Sequence, residues 1–125
     1  MLIVLLYLDA NDRLTFLTAT ANKVNNPNSQ DAYVYATVAV ATVKLELNDL
    51  PGAKKELDKA EKILESFDSV ETIVHASFYR VNAQYSQAKL DFAAYYRNAL
   101  LYLACIDLND LTPSERRGSY RISSH

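Results

Sequence analysis

The chain has 125 residues, half of them hydrophobic and 22% charged, the balance of one globular domain and not of a disordered segment. A net charge of −2 and a sequence pI near 5.6 exclude a globally basic, nucleic-acid-attracting surface. Two glycines and three prolines leave too few turns for an all-β sandwich, and a single cysteine, Cys105, excludes an intramolecular disulfide framework.

In chain order, "MLIVLLYL" holds a short apolar helix at residues 2–8, read as the end of a buried helix. It lacks the basic start and small-residue cleavage pattern of a signal peptide. Asn11 or Asp12 can cap a second helix that runs to about Val24 through Leu14, Leu17 and Ala21. "NNPNSQ" (25–30) is a loop, with Asn28 placed to cap the next helix and Asp31 suited to its first turn.

"AYVYATVAVATV" (32–43) sets two signals against each other. Its β-branched and aromatic residues favour a strand. Yet Tyr33, Ala36, Val40, Val43 and Leu47 recur at helical spacing, with Val34, Val38, Ala41 and Leu45 as an adjacent stripe. Two stripes imply a helix buried on two sides, and residues 31–47 are read as one.

The next helix is plainer. Asp49 is its cap and Pro51 lies in its first turn. Ala53, Leu57, Ala60, Leu64 and Phe67 make the apolar stripe, while Lys54, Lys55, Asp58, Lys59, Glu61, Lys62 and Glu65 read as a solvated face. Asp68 with Glu71 forms a variant capping box for a helix reaching about Ala88, with Val70, Val74, Phe78, Val81, Tyr85 and Ala88 on its inner ridge.

Asp91 caps the segment "YYRNALLYLACIDLNDL" (95–111), apolar nearly all round. Phe92, Tyr96, Ala99, Leu103 and Ile106 form its expected inner stripe, with Tyr95, Leu100 and Tyr102 beside it; Tyr95 and Tyr96 are expected to face different packed neighbours. "TPSE" (112–115) signals a further helix starting at Pro113, which "RRGSYRISSH" does not continue.

Superposing Asp49 on Asp91 aligns two helical pairs, and the small–large–small spacing of Ala53, Leu57 and Ala60 is similar to a tetratricopeptide (TPR) helix. The expected fold is therefore all-α, a right-handed α-solenoid of TPR-like helical hairpins, in which an interior helix is covered on several sides.

Catalytic and metal chemistry finds little support. His75 has no second His or Cys at ligand spacing, and Cys105 sits within an apolar stripe, as a buried structural thiol does. "SQAK" (86–89) is a bare Ser-x-x-Lys match in mid-helix, and no glycine-rich phosphate loop exists. No catalytic, cofactor-binding or metal residue is assigned and no cofactor is expected. Phe78, Tyr79, Tyr85, Tyr95, Tyr96, Leu100 and Leu103 are the packing residues singled out, and Ser119 in "RRGS" is a short match to a phosphorylation site.

"VHASFYRVNAQYSQAKLDFAAYYRNALLYLACIDLNDLTPSE" (74–115) resembles the PCI-domain lid subunits of the proteasome regulatory particle, the family of regulatory-particle non-ATPase subunit nine (subunit thirteen in animals). The matching positions include Val74, His75, Phe78, Tyr79, Tyr85, Tyr95, Tyr96, Ala99, Leu100, Leu103, Cys105, Asp107, Leu111, Ser114 and Glu115. "LELNDL" (45–50) fits the upstream hairpin, so the resemblance spans roughly residues 10 to 115.

The resemblance implies a non-catalytic scaffold of the lid in ubiquitin-dependent proteolysis, present in cytoplasm and nucleus. Its partners would be other lid subunits, with no nucleic acid or membrane. Residues 1–115 are then a helical-repeat segment lacking the winged helix, and 116–125 a divergent, poorly ordered tail. The rival readings are a PCI scaffold of the signalosome or of translation initiation, a peptide-binding repeat using Arg80 and Asn82, and an enzyme, against which the lack of a convergent polar cluster counts. If the chain is a central fragment, Leu100, Leu101, Leu103 and Leu108 form an exposed patch and the isolated chain self-associates.

Overall fold

The structure is a computed structural model that describes residues 9–67 and 73–110, with side chains as far as Asp107. The described residues hold five α-helices and no strand: α1 (Ala10–Lys23), α2 (Gln30–Glu46), α3 (Leu50–Leu64), α4 (Ile73–Ala88) and α5 (Phe92–Asp110), with a 3-10 turn at Pro27–Ser29. The expected helix at 2–8, the Asp68–Glu71 box, Val70, the helix start at Pro113, Ser119 and the tail lie outside the described residues, as does the Leu108 side chain.

Residues 30–46 are helical despite their strand-like composition, because burial overrides propensity. Val34, Ala36, Thr37, Val38, Val40, Ala41 and Val43 are all buried, and α1, α3 and α4 all pack on this helix. Thr42 donates its hydroxyl to the Val38 carbonyl at 3.1 Å, so even its polar branch is satisfied within the helix. The core joins Val34, Val38 and Ala41 of α2 to Leu57, Ala60 and Leu64 of α3 and to Val74, Phe78 and Val81 of α4.

Two caps differ from expectation. Asp9, not Asn11 or Asp12, caps α1, its Oδ1 accepting the Asp12 N–H at 2.8 Å. The helix starts earlier than its apolar stripe does, which leaves Asp12 in the first turn. Asn26, not Asn28, caps the 3-10 turn, and Ser29 opens α2 without a side-chain cap bond. Arg13 of α1 meets Glu46 of α2 with a two-pronged ion pair, which raises the Arg13 pKa and lowers that of Glu46 through the shared hydrogen bonds.

The two turns expected at Asp49 and Asp91 are one structure built twice. Asn48 and Leu90 both take left-handed backbone angles, at φ 61° and 60°. Asp49 N–H bonds the Lys44 carbonyl and Asp91 N–H the Ser86 carbonyl, at 2.8 and 2.9 Å. Each aspartate then caps its helix, Asp49 on the Gly52 N–H at 3.0 Å and Asp91 on the Ala94 N–H at 3.2 Å. Position n of the first hairpin therefore corresponds to n + 42 of the second, since 90 − 48 = 42.

Candidate interaction surface

A straight helix advances about 100° per residue, so Phe92, Tyr96, Leu100, Leu103 and Asp107 fall on one side of α5. Ala94, Asn98, Tyr102 and Cys105 fall on the other, and this second side packs: Asn98 and Cys105 are buried, Ala94 and Tyr102 half-buried. Helix α5 rests chiefly on α4. The Asn82 amide donates to Asn98 Oδ1 at 3.0 Å, and the Asn98 amide donates back to the Ala94 carbonyl at 2.8 Å.

Of the stripe expected inside, Ala99 and Ile106 are half-buried, whereas Phe92, Tyr96 and Leu103 lie outside, together with Leu100 beside them. Phe92 is 64% exposed, Tyr96 66%, Leu100 50% and Leu103 52%. Among the expected packing residues, Phe78 is buried and Tyr79 and Tyr85 are half-buried, whereas Tyr95, Tyr96, Leu100 and Leu103 face solvent. Tyr95 and Tyr96 therefore do not each meet a packed neighbour. The cause is chemical: α5 is apolar nearly all round, so hydrophobic spacing selects no face, and the residue that anchors the packed face is the polar Asn98. Of the expected patch, Leu100 and Leu103 share the outward side, whereas Leu101, exposed too, lies on the opposite side of α5 from Leu103.

Elsewhere the polar groups serve the packing. Glu56, assigned to neither face by its spacing, is buried between α3 and α2, where its Oε1 accepts from Lys44 Nζ at 3.1 Å and from Lys59 Nζ at 3.3 Å. Lys54 and Asp58 pair on the exposed face at 2.6 Å. His75 is buried, edge-on to Phe67 with ring centres 5.7 Å apart and tilted against Tyr79 at 6.2 Å. Burial lowers its pKa by disfavouring the charged form. Cys105 is buried.

An open cleft of 360 Å³ runs between α3, α4 and α5, with Glu61 and Glu65 on one wall, Arg97 on another, and His75 and Tyr79 beneath. Of the two residues offered for peptide binding, Arg80 is exposed, but Asn82 is engaged with Asn98. Among the described residues no group of three or more His, Cys, Asp or Glu side chains could hold a metal ion, and no helix is long and apolar enough to cross a membrane.

An apolar stripe thus lies on the outer side of α5. The family described as PSD13 N-terminal repeats matches residues 1–122. The chain belongs to that family. The matched span runs past both limits of the resemblance drawn from residues 10 to 115.

The relatives are subunits of the 26S proteasome. The chain is 43% identical over 105 residues to the probable 26S proteasome regulatory subunit rpn9 of Schizosaccharomyces pombe, 84% of this chain and 28% of that protein. It is 34% identical over 93 residues to 26S proteasome non-ATPase regulatory subunit 13 homolog B of Arabidopsis thaliana, 74% of this chain and 23% of that protein. Regulatory subunit RPN9 of Saccharomyces cerevisiae shares 33% identity over 115 residues, 89% of this chain and 29% of that protein. The chain thus spans under a third of the length of these relatives.

Proposed function

We propose that the chain is the helical-repeat part of a non-catalytic scaffold subunit of the proteasome regulatory-particle lid, acting in ubiquitin-dependent protein degradation. The observation that carries this reading is the 43% identity to a regulatory subunit along most of the chain.

On this reading the two matching hairpins are layers of a right-handed, TPR-like solenoid, with Phe78, Tyr79 and Tyr85 holding α4 in its layer. The partners are other regulatory-particle subunits, in cytoplasm and nucleus. The test is affinity purification of the tagged chain, beside a version extended past Glu115, from cells with intact proteasomes. The proposal expects other regulatory-particle subunits to co-purify in stoichiometric amounts with at least the extended form. Their absence from both would contradict it.

A further inference from the structure

The repeated turn permits a comparison within the chain. On α3 the packed residues Ala53, Leu57, Ala60 and Leu64 correspond at +42 to Tyr95, Ala99, Tyr102 and Ile106 on α5. The outward residues Lys54, Asp58 and Glu61 correspond to Tyr96, Leu100 and Leu103, and half-buried Leu50 to Phe92. The second hairpin is stacked on the first, yet Lys54, Asp58 and Glu61 remain exposed. A further hairpin stacked on α5 in the same way would cover Tyr95, Ala99, Tyr102 and Ile106. It would leave Tyr96, Leu100 and Leu103 bare, as Lys54, Asp58 and Glu61 are. The same face is solvated and charged in one repeat and apolar in the next, so repeat stacking alone does not account for it.

Leu90 sharpens the contrast. Its counterpart Asn48 is a residue at ease in the left-handed region, whereas leucine there is strained, and Leu90 is 73% exposed. An apolar residue thus stands where the backbone prefers a polar one, next to an apolar stripe.

We infer that this stripe pairs with the same stripe of a second copy of the chain, the two α5 helices running antiparallel. The stripe has two unlike halves, aromatic at Phe92 and Tyr96, leucine at Leu100 and Leu103. Antiparallel pairing about a two-fold axis near Arg97 and Asn98 sets Phe92 opposite Leu103 and Tyr96 opposite Leu100, a self-complementary match. Exposed Asp107 continues the stripe at its carboxyl end, and exposed Lys89 lies just before its amino end. The antiparallel pair brings Asp107 of one copy to Lys89 and the positive helix start of the other. Parallel pairing would set Asp107 against Asp107. Asp91, the acid at that helix start, already accepts the Ala94 N–H. From Phe92 to Leu103 the stripe is only about 17 Å long and offers four side chains where a standard interface has roughly 20–30 residues a side, so the dimer is weak and depends on concentration.

Sedimentation of the 125-residue chain over a hundredfold concentration range tests this. The expected result is a reversible monomer–dimer equilibrium, weakened at least tenfold by Leu100→Glu with Leu103→Glu; both sites are exposed, and helical circular dichroism should be unchanged. Asp107→Lys and Lys89→Asp should each weaken the dimer, and the two together should restore it. A monomer throughout, a dimer indifferent to the leucine changes, or charge reversals that fail to compensate would each overturn the inference.

Discussion

Asn48 and Leu90 occupy the same left-handed position in two copies of one turn, at φ 61° and 60°. Holding an L-residue there costs about 1–2 kcal/mol, less for asparagine. Leu90→Asn should therefore stabilise the chain by about 1 kcal/mol, and Asn48→Leu should destabilise it by a similar amount. Urea denaturation at a concentration that keeps the chain monomeric measures both. No gain from Leu90→Asn would mean that the leucine holds a packing contact.

Asp49 and Asp91 cap α3 and α5 with the same geometry. Replacement of either by alanine should cost about 1 kcal/mol, and the two losses should be nearly equal because the turns match bond for bond. A loss at one site alone would break the equivalence of the hairpins.

Tyr96 and Phe78 should respond oppositely to truncation. Tyr96 is largely exposed, so Tyr96→Ala should change the monomer's stability by less than about 0.5 kcal/mol. Phe78 is buried in the core shared by α2, α3 and α4, and Phe78→Ala should lose about 3–5 kcal/mol. Chemical denaturation of the two variants side by side decides the face of α5. A large loss at Tyr96 would turn the helix round.

His75 predicts a pH dependence. Its folded pKa lies below the ordinary 6.5, so the unfolded chain takes up a proton first as pH falls. Stability should be full above about pH 7 and decline from near 6.5 down toward the lowered folded value. Because Glu46 is lowered from 4.5, its own contribution is lost only at more acid pH. His75→Gln should flatten the stability profile between about pH 7 and 5.5; a profile unchanged by that substitution would remove His75 as the cause.

The parts legible in the sequence are those where local chemistry and burial agree. Helix α3 shows an apolar stripe, a charged face and an aspartate cap, and each stands where spacing puts it. Helix α2 was readable only because its two stripes outweighed strand propensity. The orientation of α5 was not readable, since its inner face is anchored by an asparagine pair whose partner, Asn82, lies sixteen residues earlier. Glu56 was hidden likewise: its burial depends on Lys44 across the hairpin.

The most direct test of the account is a hybrid subunit. The matching segment of the fission yeast relative is replaced by residues of this chain, and the hybrid is followed on native gels in cells lacking the original subunit. The expected result is a hybrid that migrates with assembled 26S proteasome. A hybrid that folds and accumulates, yet stays wholly outside the particle, would contradict it.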